Sequence, residues 1–424
     1  MTALPGPSAD PFAPRSSALR TLSERGHLNQ ATDLAGLDEA FAAGVVPAYA
    51  GFDATADSLH VGHLVPIMAL RRLQQTGHKP VVLVGGGTTR IGDPSFRSEA
   101  RPMLTDAQIA ANIAGIRRIF DRLLVFGDGP TDAVLVNNAD WLGELRWIDV
   151  LRDVGRHVSV NRMLSFDSVK TRLDRQENLS FLEFNYMVLQ AFDFLELSRR
   201  RGVRLQLGGA DQWSNILNGV DLARRIGGRE VFGLTTPLLT TASGAKMGKT
   251  AAGAVWLNAE RLSPYSYWQF WRNTEDVDVG RFLRLFTDLP LDEIAALTAE
   301  SGAALNAAKE RLADDATTLA HGAEAARKAA ETARQAFGQG AAAEGLPVVA
   351  VTRAELAAGF PLVDLLLRAG LAESKGEARR AIAGRGVRLD GEIVGDPEHI
   401  CRAPSPPARL SLGRKRHVTV RVTG

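Results

Sequence analysis

One cysteine, Cys401, is all that the 424 residues contain, so neither an intrachain disulfide nor a paired-cysteine metal knuckle is open to the chain. That usage fits a reducing cytosol, and the expected location is cytoplasmic. No apolar run approaches the roughly 20 residues needed to span a bilayer, so no membrane partner is expected. Residues 1–25 carry Pro, Ser and Arg but no apolar signal core, and residues 1–30 read as a loose leader. No tandem repeat is present. An excess of one charge is lacking too: 50 Lys and Arg against 48 Asp and Glu leave a net of +2. The distribution is uneven, however. Residues 361–424 hold 12 basic and 7 acidic side chains, whereas residues 1–360 hold 38 and 41. A small basic unit on a near-neutral body points either to a polyanionic partner or to a plain solvated surface.

Hydrophobic residues make up 45% and charged residues 23%, ordinary for a globular protein, and the length suits two or three domains. Short apolar runs at 48–52, 81–84, 133–136 and 203–207 alternate with helical patterns at about 60–76, 106–122 and 180–200, and another helical pattern follows at 214–226. This alternation predicts an α/β fold, a Rossmann-like parallel sheet with crossover helices over residues 31–240. Ligands of such sheets sit beyond the carboxyl ends of the strands. The segments there are Asp53 to His60, Gly85 to Asp93, Asn137 to Asp140 and Gly208 to Gln212. Residues 285–345 are Ala-rich and free of proline after Pro290, which predicts a small helical domain within 241–345. Residues 346–359 read as a linker. The last unit, 360–424, is a small α+β module. In it Ser374-Lys-Gly-Glu377 forms a capping box, for a helix ending near Gly384, and Asp390-Gly391 marks a hairpin.

The stretch Tyr49-Ala-Gly-Phe-Asp-Ala-Thr-Ala-Asp-Ser-Leu-His-Val-Gly-His-Leu-Val-Pro66 hands a strand to a helix through small and polar residues. Backbone N–H groups and the positive helix end then converge where a phosphate can bind. His60 and His63 stand one turn apart there, and Gly62 lets a flat nucleotide approach the backbone. Ser180-Phe-Leu-Glu183 is a second capping box, and Tyr186, Gln190 and Asp193 follow at spacings of four and three on one helix face. Such a stripe is either the wet side of the helix or the lining of a pocket. A wet side would favour Lys and Glu, whereas a phenol, an amide and one acid are selective hydrogen-bonding groups. The glycine-punctuated loop Leu238 to Thr250 brackets Met247-Gly248 with Lys246 and Lys249. It is either a solvent loop or a mobile pair of cations for a phosphate chain. Arg97 and Arg101 offer a further cation pair, and Lys375, Arg379, Arg380, Arg385 and Arg388 crowd the C-terminal module.

Taken together, these segments resemble the bacterial tyrosyl-tRNA synthetases, class I aminoacyl-tRNA synthetases, over roughly residues 30–424. Leu59-His-Val-Gly-His-Leu64 matches the family's HIGH motif, and Lys246-Met-Gly-Lys-Thr250 its KMSKS loop with glycine for serine. Gly51 to Ser58, Ile91 to Ser95 and Leu207 to Trp213 match sequences of the tyrosine branch. Five motifs in order, with the right spacings, make chance negligible. The basic tail looks like the family's small RNA-binding module, with Lys375, Arg379, Arg380, Arg385 and Arg388 as the RNA-binding candidates.

The resemblance implies ligation of L-tyrosine to tRNA(Tyr) for protein biosynthesis, with ATP as substrate, Mg2+ accompanying its phosphates and no protein-bound metal. It implies a homodimer. Tyr49 and Asp193 would meet the substrate phenol, and Asp93, Tyr186 and Gln190 its ammonium. Gly51, Asp53, Gln206 and Gln212 belong to the same tyrosine site. Gly209 and Asp211 would contact the ATP ribose. Thr55, His60, Gly62, His63, Lys246, Lys249, Thr250, Arg97 and Arg101 would hold the phosphates; Arg97 stands where lysine is common, which keeps the charge but changes the geometry. Tryptophanyl-tRNA synthetases share both signatures, but the Tyr49/Asp193 pair disfavours them. A cytidylyltransferase, which also carries HxGH, leaves the lysine loop and basic tail unexplained. A non-enzymatic RNA-binding protein leaves the intact site set unexplained.

Overall fold

The structure is a computed structural model. It describes residues 12–95, 103–242, 244, 247, 249–250, 253–299, 302, 305–338, 346–402, 408–413 and 416–423. Two compact units emerge, one taking the chain to Asp57 together with Leu64–Leu238, the other taking Ser58–His63 together with the chain from Leu239.

The first unit carries, in chain order, α1 (Ser17–Glu24), β1 (Gln30–Ala31), α2 (Leu34–Ala43), β2 (Pro47–Phe52), α3 (Val61–Gln75, begun in the second unit), β3 (Lys79–Val84), α4 (Asp106–Leu123), β4 (Val134–Asn137), α5 (Ala139–Leu142), α6 (Trp147–Asp153), α7 (Val160–Ser165), α8 (Asp167–Asp174), α9 (Phe181–Arg201), β5 (Leu205–Gly209), α10 (Trp213–Gly227) and β6 (Phe232–Thr236). Its sheet runs β1-β6-β5-β2-β3-β4. Strands β2 to β6 are parallel, as expected of apolar runs covered on both faces. The two-residue β1 is antiparallel to β6, so the sheet is mixed rather than purely parallel. Chain order reverses beside β2: β3 and β4 lie on one side, and the α5–α9 connection returns the chain to β5 on the other. A crevice opens at such a switch point, outside the strand ends.

The longest helix of this unit, α9, starts where its capping box predicts. Ser180 Oγ accepts from the Glu183 N–H, and Glu183 reaches back to the Ser180 N–H. It stops at Gly202, which takes φ 65° where a side chain would be strained. Residues 12–30 are not a loose leader. Helix α1 buries Ala18, Leu19 and Leu22, and Asp38 accepts from Arg15 N, Ser16 N and Ser16 Oγ, which ties the segment to α2.

The second unit holds the hairpin β7 (Lys249–Thr250) and β8 (Gly253–Ala254), then helices α11 (Pro264–Arg272), α12 (Asp276–Phe286), α13 (Leu291–Leu297), α14 (Leu305–His321) and α15 (Ala323–Gly338). The Trp271 ring, fully buried, lies 4.9 Å from Phe286 and 5.9 Å from Phe282 at the centre of the helical part. There follow β9 (Val348–Thr352), α16 (Arg353–Ala358), β10 (Phe360–Pro361), α17 (Leu362–Arg368), α18 (Lys375–Ala383), β11 (Val387–Leu389), β12 (Glu392–Val394), β13 (Ile400–Cys401), β14 (Ala408–Leu412) and β15 (Arg416–Thr423). The sheet order is β12-β11-β14-β15-β9. Residues 346–359 therefore do not form a linker. Strand β9 pairs in parallel with β15 from Val348 to Thr352, and Val351 and Leu356 enter the core of the module. Asp390 (φ 52°) and Gly391 (φ 91°) turn β11 into β12, as their dipeptide predicts.

Candidate functional site

Within the first unit, β2 and β5 bring Tyr49 opposite Gln206 in register at the switch point. Tyr49 is 1% exposed and its ring packs 5.3 Å from Phe194. Its hydroxyl has no hydrogen-bond partner among the described residues, nor has Gln206 Oε1. Burial, with the nearby Asp193 charge adding to it, raises the Tyr49 pKa well above the usual phenol value, so the hydroxyl keeps its proton.

Helix α9 delivers the opposing groups. Asp193, 2% exposed, accepts from Trp141 Nε1 at 2.7 Å on Oδ1 and from Asn138 Nδ2 at 2.9 Å on Oδ2. Burial pushes its pKa up to about 7 even though these two donors pull it down; the Asp53 charge adds to the rise. Neither Asn138 nor Trp141 is singled out by the sequence pattern. Asn138 lies in the segment after β4 flagged by the strand-end rule, and the rule gives it no role. Trp141 falls one residue beyond that segment.

A second carboxylate extends the network. Asp53 Oδ1 accepts from Thr88 Oγ1 at 2.7 Å and Oδ2 from the Tyr186 hydroxyl at 3.0 Å. Asn138 also donates to Thr88 Oγ1 and accepts from the Gly87 N–H, so one amide joins the Asp53 and Asp193 ends. Gly85 is required beside it, since an added Cβ would lie 2.1 Å from Asp53 Oδ1. Burial first, then the Asp53 and Asp93 charges, hold the Tyr186 pKa high and keep it a donor. Asp93 in turn accepts from Gln212 Nε2 at 2.8 Å and from the Ser95 N–H at 2.9 Å. Asn215 steadies Gln212 at 3.1 Å, while its own buried Oδ1 has no partner among the described residues. Gln190 is half-buried on the α9 face that carries Tyr186. Gly51 lies on β2, Thr55 is exposed just beyond it, and Gly209 ends β5 two residues before Asp211, where an added Cβ would come 2.6 Å from Asp211 Oδ1.

These groups divide chemically. Asp53 and Asp93, with Tyr186 and Gln212 bound to them, form an acceptor-rich end suited to an ammonium. Tyr49 and Asp193 form a buried end suited to a group that can donate to one partner and accept from the other.

In the second unit, residues 58–60 run beside 256–258. Leu257 N donates to Leu59 O at 2.8 Å, Val61 N to Val255 O at 3.0 Å and Asn258 N to Ser58 Oγ at 3.1 Å. The His60 and His63 rings stand 4.0 Å apart. His63 Nδ1 accepts from the His60 N–H at 3.2 Å, and His60 Nδ1 from the Gly62 N–H at 3.1 Å. Each neutral imidazole thus carries its proton on Nε2, the atom suited to donate to an anion. Lys249 and Thr250 form β7, of which the backbone alone is described. Lys246, Arg97 and Arg101 lie outside the described residues. In the C-terminal module Lys375, Arg379 and Arg380 are exposed on α18, Arg385 follows it with φ 57°, and Arg388 is exposed on β11. Lys375 pairs with Asp364 at 2.8 Å and Arg379 with Glu398 at 3.8 Å.

Comparison with known proteins bears on both units. Residues 43–338 match the family described as tRNA synthetases class I (W and Y), and residues 360–404 match the S4 domain. A Rhodospirillum rubrum protein named tyrosine–tRNA ligase is 62% identical over 97% of this chain and 99% of its own length. A Zymomonas mobilis protein of the same name is 60% identical over 95% and 98%. The C-terminally truncated mitochondrial tyrosyl-tRNA synthetase of Aspergillus nidulans matches with a TM-score of 0.69 at 32% identity, covering 76% of this chain and 95% of its own.

Proposed function

This chain belongs to the tyrosine–tRNA ligases, within the class I (W and Y) tRNA synthetases, and from that premise we propose how its residues carry out tyrosine activation and transfer. The observation that carries the assignment of roles is the stranded buried pair. The Tyr49 hydroxyl has no described partner, and Asp193 is held by two donors with acceptor capacity to spare. A substrate phenol completes both, donating to Asp193 and accepting from Tyr49. A buried hydroxyl left unpaired costs about 1–3 kcal/mol, so a ligand that pairs with it is favoured over one that cannot. At the other end the ammonium sits among Asp93, Tyr186 and Gln190, with Asp53 and Gln212 fixing them.

The tyrosine carboxylate then attacks the α-phosphate of ATP in line, giving tyrosyl-adenylate and pyrophosphate. The terminal ribose hydroxyl of tRNA(Tyr) attacks the activated carbonyl and releases AMP. ATP enters as its magnesium complex. Among the described residues no cluster of three or more His, Cys, Asp and Glu is placed to hold a metal of the protein's own. The chain's part is positioning and charge stabilisation, as transfer at phosphorus requires. Gly209 and Asp211 are assigned to the ribose. His60 and His63, through Nε2–H, act on the phosphates with Gly62, Thr55, Lys246, Lys249, Thr250, Arg97 and Arg101. The helical region within 241–345 and the basic module from 360, with Lys375, Arg379, Arg380, Arg385 and Arg388 outward, are assigned to tRNA. We place the reaction in the cytoplasm; no helix among the described residues is long and apolar enough to cross a membrane.

A second copy of the chain is proposed to cover the apolar face of α6 to α9. Trp147, Ile148, Val160, Phe181 and Leu182 are 53%, 70%, 57%, 67% and 44% exposed, and the Trp147 and Phe181 rings lie 6.1 Å apart in one patch. Exposed aromatics clustered in this way mark an interface rather than a wet surface. Pyrophosphate exchange tests the functional reading: tyrosine should drive exchange with ATP, and tryptophan and phenylalanine should not. Exchange driven equally by tryptophan would overturn it.

A further inference from the structure

Helix α9 carries Tyr186, Gln190 and Asp193, so its axial position sets the site. One end of it is pinned in an unusual way. Arg172, on α8 and 4% exposed, donates from Nη1 to Glu183 Oε1 at 2.9 Å, with the Glu183 side chain 5% exposed. A second Arg172 nitrogen, Nη2, donates to the Asn178 carbonyl in the turn that leads into α9, while the buried Nε has no partner among the described residues. Glu183 uses its second oxygen for the Ser180 N–H at 3.1 Å and the Ser180 Oγ at 2.8 Å. A single guanidinium therefore holds both the approach to α9 and its third residue. Burial alone would raise the Glu183 pKa, yet the hydrogen bonds from Arg172 and Ser180 outweigh it and keep the carboxyl ionised.

Burying two charges is costly, and a hydrophobic pair of the same volume would serve stability as well or better. What the ion pair adds is a fixed geometry, because a planar guanidinium that donates to a carboxylate and a backbone carbonyl at once accepts few alternatives. The first group downstream is Tyr186, three residues after Glu183 on the same side of the helix, and its hydroxyl reaches Asp53 at 3.0 Å. Asp193 lies two turns further on and has its own anchors in Asn138 and Trp141.

We propose that Arg172 and Glu183 are a positioning pair for recognition of the substrate amino group, setting Tyr186 against Asp53 while leaving the phenol end to Asn138 and Trp141. The proposal rests on the reading of Tyr186 as part of the ammonium site. Loosening the pair lets the first turns of α9 shift, so the ammonium end suffers and the phenol end does not.

The test compares L-tyrosine with 3-(4-hydroxyphenyl)propionate, which keeps the phenol and carboxylate but lacks the amino group. Equilibrium titration is run on the full-length wild type and on Arg172→Met, Arg172→Lys, Glu183→Gln and Tyr186→Phe. Arg172→Met and Glu183→Gln should raise the Kd for L-tyrosine about tenfold, an ordinary coupling between neighbouring groups, and leave the Kd for the deamino analogue within about twofold. Arg172→Lys should recover part of the loss. Glu183→Gln combined with Tyr186→Phe should cost less than the two single changes together. Should Arg172→Met not fold, Glu183→Gln, close to isosteric and still able to accept from Ser180, carries the test. Equal losses for the two ligands, or no loss beyond a lower melting temperature, would overturn the positioning role. If Tyr186→Phe itself leaves L-tyrosine binding unchanged, the ammonium-site reading fails; if it weakens binding while Glu183→Gln does not, the positioning proposal alone fails.

Discussion

Tyrosine affinity should depend on pH through Asp193. Burial lifts this carboxyl to about 7 although Trp141 and Asn138 both donate to it. A phenol that donates a third hydrogen bond binds the ionised form. Below pH 7 it must therefore expel a proton. For a group titrating near 7, the ionised fraction rises from about one in eleven at pH 6 to about ten in eleven at pH 8, so the Kd for tyrosine should fall about tenfold over that window. Titration calorimetry in buffers of different ionisation enthalpy reads both the Kd and the proton released. Asp193→Asn isolates the contribution of this carboxyl, since it should flatten the profile. The same shift bears on stability. The folded-state pKa lies above the unfolded value of 3.8, so the empty protein holds the extra stability below that value and loses it as pH rises toward 7. A tyrosine Kd flat between pH 6 and 8, or a slope unchanged in Asp193→Asn, would refute the reasoning.

Four further outcomes are expected. Tyr49→Phe should weaken tyrosine by about 0.5–1.5 kcal/mol, the net worth of one neutral hydrogen bond, and should improve phenylalanine binding by removing a stranded hydroxyl; competition titration reads both. Gly85→Ala, whose Cβ would meet Asp53 Oδ1 at 2.1 Å, should displace Asp53 and raise the KM for tyrosine in pyrophosphate exchange at least about tenfold. Phe181→Asp should place a charge in the apolar patch and yield a monomer in sedimentation experiments. Lys249→Ala should lower the single-turnover rate of adenylate formation far more than tyrosine affinity, and the reverse pattern would count against its role at the phosphates.

Much of the candidate site's layout follows from local rules of sequence. The Ser180/Glu183 capping box fixes the start of α9, and helical spacing then places Tyr186, Gln190 and Asp193 together. The strand-end rule finds Asp53 and the Asn137–Asp140 segment. What escaped depends on contacts distant in sequence. Trp141 and Asn138 acquire their roles only when α9 brings Asp193 beside them, more than 50 residues later. Helices α5 to α8 are short, and several of their apolar residues face outward, Trp147 and Ile148 among them, so they lack a clean amphipathic period. The two-residue β1 carries no pattern at all. Strand β9, in a Gly- and Ala-rich setting, owes its place to β15 some 70 residues away.

A structure with L-tyrosine bound tests the central claim most directly. The account predicts the substrate phenol oxygen within hydrogen-bonding distance of both Tyr49 Oη and an Asp193 carboxylate oxygen, with the ammonium beside Asp93, Tyr186 and Gln190. A substrate ring seated elsewhere, or turned so that its ammonium faces Asp193, would contradict it.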